Sequence, residues 1–373
     1  MEPFKNNLSK ELVCSIANQL QKHLDSFDKT EFINSIVPEL DTLALKERSQ
    51  LIADKLHTVL PLDLKQRYRI ILAILHPVED ADNALQSNEL GIRGWGMMPL
   101  CSVVGQHGLA DFDASLAALK EMTKRFSSEF DIRYFLLADQ DRALGIISSW
   151  VHDPNRHVRR LISEGTRPRL PWAMQLPQFI ANPSTVLPLL EILRDDEDEY
   201  VRRSVANHLN DISKDHPDLI ARLAKEWRQP HNTKREKLLR HACRNLIKQG
   251  HSLTLNVFGY SSPNISLEQL RIKTPVLELG NSLQFSVSIK SHTSQKQPLV
   301  MDYVVHHQKS NGSLSPKVFK WKTLTLAPHS ELILERSHEI RLITTRRYHA
   351  GNHALSLRIN GQDFGYEEFH LVC

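Results

Sequence analysis

The apolar residues of this 373-residue chain change their period once, around Lys248-Gln249-Gly250, and that change divides the fold. Before it they recur every four residues, as in Leu8, Leu12, Ile16, Leu20 and Leu24, or Leu64, Tyr68 and Leu72. Such a stripe covers one face of a helix. Pro61, Pro77, Pro99, Pro154, Pro217 and Pro230 cut the pattern into short pieces, which predicts short antiparallel helices. After Gly250 the period is two: Leu283, Phe285, Val287 and Ile289 alternate with Gln284, Ser286, Ser288 and Lys290. Met301, Tyr303 and Val305 alternate likewise, as do Phe319 and Trp321, and Ala354–Ile359 runs into Asn360-Gly361. Alternation marks half-buried strands. Asn360-Gly361 and Asn311-Gly312 read as hairpin turns, because both turn positions want φ > 0. About seven short strands over ~120 residues predict a sandwich of immunoglobulin size. The expected architecture is mainly α: residues 1–250 form a helical solenoid and residues 251–373 an all-β Ig-like sandwich.

The helical part repeats. Val158-Arg159-Arg160-Leu161 follows the acidic turn Asp153-Pro154-Asn155, and Val201-Arg202-Arg203-Ser204 follows Asp196-Glu197-Asp198, 43 residues on. A weaker third copy begins at Leu238-Leu239-Arg240. Periods near 40 with two helices each are those of HEAT-like arrays, whose concave face binds extended partners. Paired arginines recurring along such an array suit a phosphate backbone or an acidic protein surface.

Charge is unevenly placed. The net charge of +4 combines −6 over residues 1–155, +6 over 156–250 and +4 over 251–373. A basic middle and rear are the electrostatic footprint of a polyanion partner. Other classes recede. No apolar run reaches the ~18 residues of a membrane helix. Met1–Leu12 lacks the basic-then-apolar order of a signal peptide. The four cysteines, Cys14, Cys101, Cys243 and Cys373, never form a C-x-x-C pair, which fits reduced thiols in the cytoplasm. His306-His307 and His349/His353 have no acidic or cysteine partner at ligand spacing, so no metal is expected. Gly91-Ile92-Arg93-Gly94-Trp95-Gly96 lacks the preceding strand of a phosphate loop and reads as a helix junction that seats Trp95.

The densest functional candidate runs from Arg159 to Trp172, RRLISEGTRPRLPW. Glu164 stands among four arginines, where a helix gives way to Gly165, and Trp172 follows eight residues later. Two readings fit. In one, Arg160 and Glu164 are an ordinary i,i+4 helix pair ahead of an inter-repeat loop. In the other, Glu164 points off the helix end into a cleft. Asp211 reads as a structural residue, either a helix cap or the partner of an arginine within the repeats.

Residues 160–172 and Val201–Pro217 resemble the AlkC branch of HEAT-like-repeat DNA glycosylases. So do Pro316–Lys320, the Thr344-Thr345-Arg346-Arg347-Tyr348 stretch and, over a shorter length, Ser128–Phe135. The resemblance implies excision of cationic N-alkylated bases, among them 3-methyladenine, 3-methylcytosine and 1-methyladenine. It implies hydrolysis of the N-glycosidic bond in alkylated double-stranded DNA by a monomer without cofactor, at the nucleoid of a bacterial cytoplasm. It nominates Glu164 and Glu129 as catalytic carboxylates. A cationic base already leaves well, so the protein has to stabilise an oxocarbenium sugar and orient a water, and a carboxylate does both. Trp172 would face the cationic base through its π cloud. Arg160, Arg167, Arg169, Arg202 and Arg203, with Lys317, Arg346 and Arg347 of the Ig-like part, would bind DNA phosphates. The competing reading is a HEAT-repeat scaffold without catalysis. The catalytic reading expects Glu164 on a basic face, uncapped by a local arginine.

Overall fold

The structure, a computed structural model, describes residues 4–79, 86–343 and 346–373. It divides into two compact units. The first holds residues up to Asp215 together with Asn232–Ala242, and the second holds His216–His231 and Cys243–Cys373.

The first unit is helical. Helix Lys10–Leu20 buries Leu12, Ile16 and Leu20 on one stripe, and the Ser9 hydroxyl accepts the Leu12 N–H at its start. The repeated motif has a common local cause. In the first copy Asp153 accepts the Asn155 N–H (2.8 Å), and Asn155 caps helix Arg156–Gly165 by accepting the His157 N–H (2.9 Å). In the second, Asp196 accepts from Asp198 (2.9 Å), and Asp198 caps helix Glu199–Ile212 by accepting from Tyr200 (2.8 Å). A short oxygen side chain at the cap satisfies a donor the helix itself cannot. The first arginine of each pair then closes its own turn. Arg159 donates to the carbonyls of Asp153 and Pro154 (both 3.0 Å), and Arg202 donates to those of Asp196 and Glu197. Arg159 also grips Asp196 of the next turn through Nε (2.6 Å) and Nη2 (3.0 Å). Helix Thr233–Ala242 starts the same way, with Asn232 accepting from Arg235 (3.0 Å) and Arg235 paired with Asp195. The acidic turn and its arginine are the joint between successive helices. Arg202, expected on a phosphate, is buried in that joint, where its guanidinium holds the turn.

In the second unit helix Arg244–Gln249 ends at Gly250, whose φ of 79° is left-handed, and one short helix, Ser252–Val257, comes after it. A Cβ on Gly250 would sit 2.4 Å from the Cα of Gly361, so two glycines permit this backbone crossing. Eight strands follow: β1 (Ile265–Ile272), β2 (Val276–Glu278), β3 (Ser282–Ser291), β4 (Gln297–Gln308), β5 (Leu314–Leu326), β6 (Glu331–Glu339), β7 (Gly351–Ile359) and β8 (Gln362–Val372). They form a three-stranded sheet, β1-β3-β6, and a five-stranded sheet, β2-β8-β7-β4-β5. The alternating residues Leu283, Phe285, Val287 and Ile289 are buried, with Met301, Tyr303 and Val305 in the same core. Asn360-Gly361 is the two-residue turn its sequence predicts, with φ of 44° and 81° between paired Ile359 and Gln362. Asn311-Gly312 instead lies in a five-residue loop, since pairing stops at Gln308 and resumes at Leu314.

Candidate active site

A cleft of about 650 Å³ opens in the helical unit, lined by Glu129, Arg160, Glu164, Arg167, Trp172 and Tyr200 among others. Glu164 occupies the last turn of helix Arg156–Gly165 and is 5% exposed. Its Oε1 accepts from Arg167 Nη1 at 2.5 Å and lies 3.8 Å from Arg160 Nη2, while its Oε2 accepts from the Ser204 hydroxyl at 2.5 Å. The expectation of an uncapped carboxylate is therefore corrected. At i+3 and i+4 spacing, and buried, Glu164 is held by two arginines. Burial by itself raises its pKa. The charges of Arg160 and Arg167, with the hydrogen bonds from Ser204 and Arg167, outweigh burial and hold the carboxyl below its ordinary value.

Glu129 reaches the same cleft from another segment. Its Oε2 accepts from the Ser127 hydroxyl (2.6 Å) and pairs with Arg160 Nη1 (2.8 Å). Arg160 thus bridges the two carboxylates, with its guanidinium 4.8 Å over the Tyr200 ring. Burial disfavours its charge, but Glu129 and Glu164 more than compensate and raise its pKa. Arg167 is turned inward too, 7% exposed, with Nε on Asp211 at 2.8 Å. Arg160 and Arg167, both expected on DNA phosphates, have their guanidinium groups engaged by carboxylates. Asp211 is the partner of a repeat arginine, as expected, and also pairs with Lys214 (2.9 Å). Behind this network His208 is fully buried beside Ser163 O (2.9 Å). Burial, then the Arg167 charge, pushes its pKa down to about 3, so the ring is neutral and donates to that carbonyl.

Trp172 is 58% exposed at the cleft wall and carries a φ of 67°. A left-handed backbone at a bulky residue is strained. Lys46 donates to its carbonyl. Trp95 and Phe126, with ring centroids 5.4 Å apart, also line the cleft.

The remaining candidates are dispersed. Arg169 forms a two-pronged pair with Asp215 (2.8 and 2.9 Å), and Arg203 is exposed. In the second unit Lys317 is half-buried with its ammonium 5.2 Å from the Phe319 ring centre, Arg346 is half-buried and Arg347 is exposed. Thr344 and Thr345 of that motif lie outside the described residues. Among the described residues no group of three histidine, cysteine or acidic side chains is placed to hold a metal, and no helix is long and apolar enough to cross a membrane.

Sequence reasoning missed Tyr200 and Ser204. The repeat offset does carry a signal for Tyr200, since 43 residues separate it from His157 and both line the cleft, edge to face at 5.5 Å. Ser204 has no such signal, because its copy in the first motif is Leu161.

Residues 266–373 match the family described as "Uncharacterised protein YhaZ, C-terminal Ig-like domain". YhaZ of Bacillus subtilis (strain 168) is 34% identical over 366 residues, 97% of either chain. The structure of Pseudomonas fluorescens alkylpurine DNA glycosylase AlkC, bound to DNA containing an abasic-site analogue, superposes with a TM-score of 0.88 at 34% identity, covering both chains completely. With likeness of this extent running through the helical unit and the sandwich alike, the chain belongs to the AlkC-like family of DNA glycosylases with a C-terminal Ig-like domain.

Proposed function

We propose that this chain excises cationic N-alkylated bases such as 3-methyladenine and 3-methylcytosine from double-stranded DNA by hydrolysing the N-glycosidic bond. The observation that carries the reading is the pair of cleft carboxylates bridged by Arg160. Glu164, buried and kept ionised by its arginines and Ser204, supplies a fixed negative charge where positive charge develops on the sugar. It needs no reorganisation during the reaction, because its partners are already in place. Glu129, held through Oε2 by Ser127 and Arg160, orients the water through its other oxygen and takes the proton the water loses as it adds to C1′. The leaving base carries its positive charge before cleavage and departs neutral, so no general acid is required. Trp172 offers a π face to that charge, an attraction of about 0.5–2 kcal/mol that a neutral base forgoes.

Phosphate contacts fall to the exposed cations. Arg203 and Arg347 are open to solvent, and Arg169, Lys317 and Arg346 are partly so. Arg160, Arg167 and Arg202 contribute structure and charge balance rather than phosphate binding. On this reading the chain works on chromosomal DNA in a bacterial cytoplasm. Incubation with a duplex carrying a single 3-methyladenine, followed by counting abasic sites, tests the reading: sites accumulate with the parent chain and not with Glu164→Gln or Glu129→Gln. Equal accumulation with all three chains would remove the carboxylates from the chemistry.

A further inference from the structure

We propose that Arg133 is a positioning residue for this excision, fastening the loop that carries Arg167 and Trp172 to the segment that carries Glu129. The inference rests on the carboxylate reading above. Arg133 is fully buried in the first turn of helix Ile132–Ala138, four residues after Glu129, and does not itself line the cleft. Its guanidinium bonds to main chain through Nε and Nη1, and its Nη2 is buried without a hydrogen-bond partner. Nε donates to Met174 O (2.7 Å), and Nη1 donates to Gly165 O (2.9 Å) and Arg167 O (2.8 Å). These carbonyls bracket the loop at both ends: Gly165 closes the helix that bears Glu164, and Met174 lies just past Trp172.

The junction is tight as well as bonded. A Cβ on Gly165 would lie 2.7 Å from Cγ2 of Ile132, so the two helix ends meet with no room for a side chain. The loop's own bonds are few, Ala173 N to Leu170 O (3.2 Å) and Leu176 N to Pro168 O (3.1 Å), and it holds Trp172 in a strained backbone. A planar fork that binds three carbonyls from a fixed position is what such a loop requires, and a lysine ammonium cannot reproduce it. Burial lowers the Arg133 pKa to about 10, with Arg167 adding to that effect, so the group stays charged at neutral pH. Hydrogen bonds from a charged donor are stronger than neutral ones.

The test is single-turnover excision of 3-methyladenine at saturating protein, with affinity for abasic-site duplex measured alongside. Arg133→Lys is expected to lower the rate at least about tenfold while the Kd changes less than about threefold. Combined with Trp172→Ala, the total loss should fall short of the product of the separate losses by at least about threefold, because both changes act through one loop. If Arg133→Lys does not fold, Gly165→Ala decides, since it crowds the junction that Arg133 fastens while keeping the Arg133 side chain and the Gly165 carbonyl it binds. It should reproduce the loss of rate with affinity kept. A folded Arg133→Lys or Gly165→Ala protein within twofold of the parental rate, or losses that simply multiply, overturns the role of Arg133. A parent chain that excises nothing overturns the carboxylate reading instead.

Discussion

Replacing Glu164 by glutamine keeps the size of the side chain and most of its hydrogen bonding but removes the negative charge. If that charge stabilises the sugar cation, the excision rate falls at least ~10²-fold, about 2.7 kcal/mol of barrier. The stability effect is smaller than its buried setting suggests. Arg160 keeps Glu129 at 2.8 Å and Arg167 keeps Asp211 at 2.8 Å, so neither guanidinium is orphaned. Breaking a buried ion pair outright costs about 3–5 kcal/mol, whereas weakening charged hydrogen bonds that retain a neutral acceptor costs about 1–3 kcal/mol. At roughly 2–4 °C per kcal/mol, the melt drops by several degrees. A plain i,i+4 surface pair would lose only about 0.3–0.5 kcal/mol. Linkage adds a check. The folded carboxyl titrates below its ordinary 4.5, so its stabilisation is complete above that pH and is lost as pH falls through the folded value. Parent and variant therefore converge in stability on acidification. The assay is single-turnover release of 3-methyladenine at saturating protein, well below either melt. A rate within about threefold of the parent, with the melt lowered as expected, would refute the argument and leave Glu164 a structural residue.

Trp172→Ala should lose more on cationic than on neutral base substrates, read as the ratio of their excision rates, and an unchanged ratio would dismiss the cation–π contact. Trp172→Gly removes the strain at φ 67° and should melt at or above the parent while losing the same discrimination. Burial drives the Asp131 carboxyl up to about 8 despite a hydrogen bond from Ser102, so the folded chain keeps a proton that the unfolded chain releases near 3.8. Stability tied to this group is therefore lost as pH rises from about 4 to about 8, and Asp131→Asn should gain on the parent across that window in melts at pH 5 and pH 8. Affinity for duplex should fall with salt at a log–log slope of about −0.9 per phosphate neutralised, a slope that Arg203→Gln or Arg347→Gln makes shallower by about one.

The division into helices and sandwich was legible because hydrophobic period is a local property. The strand Ser282–Ser291 and the Asn360-Gly361 turn are read directly from alternation and from turn chemistry. Which unit a helix joins has no such local signature. Helices Pro217–Trp227 and Arg244–Gln249 belong with the sandwich unit, although their four-residue period matches the array before them. Period reports which face is buried, not against what. For the same reason the arginines divided unexpectedly. Val-Arg-Arg looks like two equal cations, yet Arg159 and Arg202 close turns, Arg160 bridges carboxylates and Arg203 meets solvent. Which neighbour an arginine finds depends on residues about 40 positions away, such as Asp196 for Arg159 and Asp211 for Arg167. Glu164 was found because a carboxylate at a helix end among cations is a local signature. Arg133 was not, because its partners are backbone carbonyls that no side-chain pattern announces.

The most direct measurement of the central claim is the product released from a duplex bearing one 3-methyladenine when the full-length chain is in excess. The account predicts free 3-methyladenine and an equal amount of abasic strand, uncut until alkali is added, with both products lost in Glu164→Gln. Intact strand after prolonged incubation with folded, DNA-bound protein would contradict it.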